Sequence, residues 1–296
     1  MEEQKLLIID GFNLLSRGYF ATAYHQSEDQ LPKNDQGLYT NALRVFFQKL
    51  FNLIHTHQTS HVTIAWDVKR EETNRRQKYD FYKSSRQALP EPLIQQYETL
   101  TFALTDLGIE QLTIPPYEAD DVIGSLSNKW ADVMQSPCFI YSNDRDLLQL
   151  LNPHVSQIIA KNKKEHVYSQ SDFEADYQIT PDQWIDVKAL LGDKGDNIPG
   201  VKGIGEKSAL PLVQRYQTVE KLYQALPELD ATFNRSIKRL TEGKKDAFMS
   251  KELVTIDQKI PYFDQFDLNR LNYVPKQEYI TTILSDLGIN VRLYAF

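Results

Sequence analysis

The sequence predicts an α/β protein, with a central, mostly parallel sheet flanked by helices and continued by a helical C-terminal lobe. Short apolar runs rich in β-branched and aromatic residues recur at 5–9 (KLLII), 62–66 (VTIAW) and 138–142 (CFIYS), the pattern of strands buried on both faces. Stretches of helical period separate them. Residues 40–58 place Leu43, Phe46, Phe47, Leu50, Phe51 and Ile54 on one stripe, and residues 92–107 repeat the habit. From about residue 180 the pattern turns all-helical, broken by the glycine-dense GDKGDNIPGVKGIGEKS, and a late helix is expected near 276–287.

A chain of 296 residues with 41% hydrophobic content can build one large domain, or a domain with an appendage, and is not a disordered tail. No apolar run is long enough to cross a bilayer, and Glu2 and Glu3 stand where a secretory leader needs basic residues, so a cytoplasmic protein is expected. The lone cysteine, Cys138, falls in an apolar run and reads as packing. A net charge of −7 argues against a nucleic-acid partner only if it is evenly spread. Between 69 and 86 it is inverted: Lys69, Arg70, Arg75, Arg76, Lys78, Lys83 and Arg86 face only Glu71, Glu72 and Asp80. The surrounding stretch, 68–91, is polar and aromatic-dotted with no core-facing period, and reads as an insertion or mobile loop.

The acids are placed with more order. Asp10, Asp67 and Asp144 each close a predicted strand, and the carboxyl ends of parallel strands line a ligand crevice. A single such aspartate reads as a helix cap; three on separate strands point to a site. Glu118, Asp120 and Asp121 open the helix at VIGSLSNKW, with Glu118 and Asp121 about one turn apart, although acids there also complement the helix dipole. Asp144 and Asp146 flank Arg145, and Asp193 and Asp196 form a spaced pair in a glycine-rich loop. Brought together, these carboxylates could not ionise without counter-cations. Oxygen donors without His or Cys favour Mg²⁺ or Mn²⁺ over Zn²⁺, and two such ions form the clamp used for in-line attack at phosphorus.

The segments LLIIDGFNLLSRGYFA, FYKSSR, YEADDVIGSLS, SNDRDLLQLL and LLGDKGDNIPGVKGIGEKSA, in this order, resemble the bacterial and phage 5′ nucleases. That family includes flap endonucleases and the N-terminal nuclease domain of bacterial DNA polymerase I, and the similarity runs from residue 5 to at least 210. The resemblance implies a PIN-like 5′ nuclease fold with a catalytic domain at 1–179 and a DNA-binding lobe at 180–296. It also implies a helical arch at 68–91 and a helix-hairpin-helix (helix–three-turn–helix) at 197–215. Asp10, Asp67, Glu118 and Asp120 resemble ligands of a first metal and Asp144, Asp146, Asp193 and Asp196 those of a second, with Asp121 between them. Lys83 and Arg86 resemble arch residues that steer the scissile phosphate. Arg75 resembles a phosphate contact, Tyr82 is placed to stack on a base, and Arg17 is an implied DNA contact. In the hairpin, Lys202, Gly203, Gly205 and Lys207 resemble a phosphate-binding turn, and the carbonyls of Val201 and Ile204 a K⁺ site.

Ser16 departs from the family, in which many relatives carry an aromatic residue there. Beyond about residue 215 the likeness is loose, and Lys238, Arg239, Lys244 and Lys245 fit a duplex-binding patch and a solvated face equally well. The implied activity is Mg²⁺-dependent hydrolysis, with two ions per site, of branched or 5′-ended DNA, and of RNA–DNA hybrid, in replication and repair. The expected protein is a monomer at the nucleoid, alongside DNA polymerase and ligase, and a stand-alone nuclease because no polymerase-length extension follows Phe296. Two rivals fit less well. A branched-DNA-binding scaffold without catalysis would be expected to lose Asp144 or Asp146, and an aspartyl-nucleophile phosphatase wants a second Asp where Phe12 stands.

Overall fold

The N-terminal apolar run forms the middle of a six-stranded sheet in the computed structural model, which describes residues 3–161 and 164–294. β1 (Leu6–Asp10) lies between β2 (His61–Ala65) and β4 (Cys138–Tyr141). β3 (Glu110–Leu112) flanks β2, β5 (Val155–Lys161) flanks β4, and β6 (Lys164–Tyr168) closes the far edge. Every pairing is parallel except the antiparallel β5–β6 hairpin. The chain builds outward from β1 to β2 and β3 on one side, then to β4 and β5 on the other. The carboxyl ends of β1 and β4 therefore form the switch point where such sheets take ligands.

All of β1 is buried because helices cover both faces. Leu7 and Ile9 join α1 (Gly11–Thr22), α2 (Asn41–His57) and α4 (Glu91–Asp106) in one core, with Phe46, Phe47 and Leu100. Leu6 and Ile8, on the alternate face, meet Val122, Leu126 and Trp130 of α5 (Ala119–Met134) in a second. Cys138 is fully buried there, and burial pushes its thiol up. Gln96 is fully buried, and its Oε1 accepts from the amides of Ala42 and Leu43 at 2.8 and 3.3 Å, capping the first turn of α2.

A third core belongs to the helical lobe. It gathers α6 (Gln170–Tyr177), α7 (Trp184–Leu191), α8 (Glu206–Tyr216), α9 (Val219–Ala225), α10 (Asn234–Glu242) and α11 (Lys244–Val254) around Trp184, Leu190, Leu212 and Leu240. Leu148 and Leu151, just beyond β4, belong to the same cluster, so the lobe is joined to the sheet by shared packing. The chain after residue 255, expected within this lobe, instead returns to the sheet. Ile256, Phe263 and Leu271 pack against the α5 side, and α12 (Gln277–Asp286) inserts Ile280 and Leu284 on the opposite side. The lobe is thus narrower than 180–296, because those apolar stripes complete the two sheet cores. Among the described residues, no helix is long and apolar enough to cross a membrane.

Candidate active site

The strand ends bring the acids together. Asp10 closes β1 and caps α1, accepting from the Asn13 amide at 3.1 Å and the Ser142 hydroxyl at 2.9 Å. Asp67, just beyond β2, accepts from the Ala119 amide at 2.9 Å, which ties it to the start of α5 and so to Glu118 and Asp120. After β4, Asp144 accepts from the Asp146 amide at 2.8 Å. The charges are felt mutually. Burial, then Asp67, pushes Asp10 up to about 7. Burial, then Asp144 and Asp10, holds Asp120 well above the usual carboxylate range, and burial and Asp144 push Asp146 to about 6 against the pull of Lys188.

Asp193 and Asp196 reach the same crevice on a loop that only glycine permits. Gly192 and Gly200 have φ of +68° and +58°, and a Cβ on Gly200 would stand 2.3 Å from the Gly192 nitrogen. Paired amide bonds between Asp193 and Ile198, at 2.9 and 2.7 Å, close the loop.

Four cations compensate these acids. Lys188 of α7 makes charge contacts of 2.7 Å to Asp146 and 2.9 Å to Asp193, so it links the strand-end pair to the loop pair. Sequence reasoning missed it, since a lysine on a helix usually marks a solvated face; the available signal was its place among the buried Trp184, Val187, Ala189 and Leu190. Lys83, only 8% exposed, sets Nζ 2.6 Å from Glu118 Oε1 and donates its amide to the Asp196 carbonyl at 2.8 Å. Arg86 meets Asp196 Oδ1 at 2.5 Å. Burial alone would raise Glu118, but Lys83 and Arg75 more than offset it and hold the carboxyl below its ordinary value.

The 68–91 stretch, read as a mobile loop or arch, is folded down onto the acids here. It contains α3 (Asn74–Lys78) and a run of turns through Ser85. Tyr82, expected to stack on a base, is 3% exposed, packs with Ile198 and Val254, and donates its hydroxyl to Glu118 at 2.9 Å. Arg75, expected at a phosphate, is held internally: it donates to Glu118 at 2.9 Å, to both Asp121 oxygens at 2.6 and 2.7 Å, and to the Leu253 and Thr255 carbonyls at 3.0 and 2.7 Å. Asp121, expected between the metals, also accepts the amides of Glu118 and Asp257, so both its oxygens are engaged as an anchor.

Among the described residues, no three acidic, His or Cys side chains stand close enough to hold one metal ion in this arrangement. The donor set nevertheless fits a hard divalent cation. It is all oxygen, burial and then neighbouring carboxylates drive Asp10 and Asp120 up, and Lys83, Arg86 and Lys188 sit against Glu118, Asp196, Asp146 and Asp193, where positive charge is needed.

The remaining predicted residues lie around this centre. Arg17, two turns along α1 from Asp10, has Nη1 3.5 Å from Asn13 Oδ1, and Ser16 turns its hydroxyl onto the Phe12 carbonyl at 2.6 Å. Lys202, Gly203, Gly205 and Lys207 are exposed, with Gly205 capping α8. The Gly203 carbonyl accepts from Arg239 at 3.0 Å, tying α10 to this turn. Val201 and Ile204 are buried, and the Val201 carbonyl accepts the Ile204 amide at 2.9 Å. Lys238, Lys244 and Lys245 are solvent-exposed.

A parallel sheet that gathers carboxylates at its switch point, beside a glycine-turned helical lobe, is the build of a nucleic-acid phosphodiesterase. More specifically, residues 5–178 match the family model of the 5′-3′ exonuclease N-terminal resolvase-like domain, and residues 179–278 that of the 5′-3′ exonuclease C-terminal SAM fold. The chain belongs to the 5′-3′ exonuclease family. It is 55% identical to a 5′-3′ exonuclease of Halalkalibacterium halodurans, covering 99% of this chain and 97% of that protein. It is 34% identical to Bacillus subtilis DNA polymerase I, covering 99% of this chain but 32% of that protein. The fold also matches the T5 D15 protein co-crystallised with metal ions, with a TM-score of 0.68, 20% identity, and coverage of 96% of this chain and 98% of that one.

Proposed function

We propose that this chain is a Mg²⁺-dependent, structure-specific 5′ nuclease, acting as flap endonuclease and 5′→3′ exonuclease near single-strand/double-strand junctions, with RNA primers among its targets. The observation that carries this reading is the meeting of carboxylates from three strand ends, the start of α5 and the 192–200 loop beneath one basic segment. Asp10, Asp67, Glu118 and Asp120 would hold one ion, and Asp144, Asp146, Asp193 and Asp196 the other, while Asp121 anchors Arg75. The chemistry that Mg²⁺ or Mn²⁺ would supply when held there is activation of a water and stabilisation of the departing oxygen.

The protein's own groups do the rest. Lys83 and Arg86, freed from Glu118 and Asp196, offset charge at the attacked phosphate. The exposed turn at Lys202, Gly203, Gly205 and Lys207 takes a phosphate of the duplex, with K⁺ at the Val201 and Ile204 carbonyls, and Arg17 contacts DNA beside the cut. Solved neighbours support the DNA partner: a T5 D15 flap endonuclease variant is described in complex with DNA and metal ions, and the Rad2 catalytic core with DNA substrate. The setting proposed is a cytoplasmic monomer working beside a DNA polymerase and ligase.

A 5′-labelled flap substrate, with and without Mg²⁺, tests the reading on wild type and Asp146→Ala. Cleavage by wild type alone, and only with Mg²⁺, is expected. A wild type that binds every branched substrate yet cuts none would establish a binding scaffold instead. Lys83→Ala should lower turnover far more than duplex affinity; equal losses would make Lys83 only a binding residue.

A further inference from the structure

A cleft of about 460 Å³ opens beside the acidic centre, between α1, the middle of α2 and the carboxyl ends of β4 and β5. None of the metal-site carboxylates lines it. One wall is apolar, formed by Val45 and the buried Tyr141, and Phe20 stands at the mouth with 55% of its surface exposed. Among the described residues, Arg17, Lys49 and Lys164 supply three cations against a single carboxylate, Glu165, which Lys49 already neutralises. Arg17 and Tyr141 line the cleft together, which sets the guanidinium beside the apolar wall. Because the Ser16 hydroxyl is turned onto the Phe12 carbonyl, it leaves the cleft open.

The position matters as much as the lining. The cleft lies just past the β1/β4 switch point, where doubly wound sheets take ligands. Asp10 caps α1, and a helix rises about 1.5 Å per residue, which puts Arg17 roughly 10 Å along the axis from Asp10. That is a span of about three stacked nucleotides at ~3.4 Å each. Asn13 links the two places, its amide on Asp10 and its side chain 3.5 Å from Arg17.

We propose that this cleft binds a single nucleotide, its base against Phe20 and Val45 and its phosphate between Arg17 and Lys164. A bare phosphate would leave the apolar wall unused, and an apolar ligand would leave two cations unpaired. The inference rests on the nuclease reading and deepens it. The nucleotide comes either from bound DNA next to the cut or from released mononucleotide, and the same chemistry recognises both.

The test uses the full chain. In EDTA, which silences cleavage, dTMP, thymidine and inorganic phosphate are titrated separately by calorimetry. Binding of dTMP at least tenfold tighter than either fragment is expected, with at least tenfold weakening in Lys164→Glu and in Val45→Trp. Lys164 is exposed, so its charge reversal carries the test should the tryptophan variant misfold. In a second arm, flap substrates carrying one 5-iododeoxyuridine near the junction are photo-cross-linked. Attachment to Phe20 or Tyr141 assigns the site to DNA, whereas dTMP binding without attachment assigns it to released product. Binding of dTMP no tighter than phosphate, with no attachment at either ring, overturns the proposal. A wild type that cuts flaps but gives that result removes the cleft alone; one that binds dTMP but cuts no branched DNA removes the nuclease reading alone.

Discussion

Arg75→Met separates an internal brace from a DNA contact. The Arg75 side chain is only 15% exposed, and its five hydrogen bonds join α3 to the start of α5 and the end of α11. Glu118 keeps Lys83 and Tyr82 after the substitution, so the loss falls on Asp121, whose side chain is 4% exposed and retains only two backbone amides. Leaving one member of a buried ion pair uncompensated costs about 3–5 kcal/mol. For a domain of this size that corresponds to a fall in melting temperature on the order of 10 °C. Urea denaturation and a thermal melt measure it directly. A phosphate contact would behave otherwise, since each one adds about 0.9 to the slope of log affinity against log salt. The expected result is a large loss of stability and an unchanged salt slope for the fraction that remains folded. Stability within about 0.5 kcal/mol of wild type, together with a slope lower by about one, would refute the bracing role.

Two further substitutions probe the frame of the site. Gly200→Ala should cost about 2–4 kcal/mol, combining left-handed backbone strain with a Cβ driven into the Gly192 backbone, and a urea midpoint equal to wild type would contradict the clasp. Lys188→Met should lower the melting temperature in EDTA, because Asp146 and Asp193 lose their shared cation, and should enlarge the stabilisation that added Mg²⁺ produces. Identical melts with and without metal in both proteins would count against Lys188 as an occupant of a cation position.

The elements that could be read from sequence were those whose environment is uniform. β1, β2 and β4 are buried on both faces and therefore spell continuous apolar runs, while α2, α4 and α12 show one clean stripe each. β3 is three residues, EQL, and β6, KEHVY, opens on charged residues at an exposed edge, so neither carries a run to detect. The acids were readable because several stand at strand or helix ends. Their partners were not: Arg75 is fixed by carbonyls about 180 residues away, and Tyr82 by Glu118 and by packing from the helical lobe. A basic, aromatic stretch has the same composition whether it reaches into solvent or closes over acids.

The pairing of Arg75, Lys83, Arg86 and Lys188 with the acidic crevice bears on how such a protein is made. Crowded carboxylates repel, and a chain that needed divalent ions to bring them together would remain open until it found them. Here three of the cations lie in the segment that precedes α4, and the fourth belongs to α7 of the helical lobe, so the counter-charge is encoded in the polypeptide itself. On the proposed two-metal reading, folding and loading would then be separate events: a newly synthesised molecule would complete its core at whatever free metal concentration the cell holds, and ions would enter afterwards by exchanging places with side chains already in position.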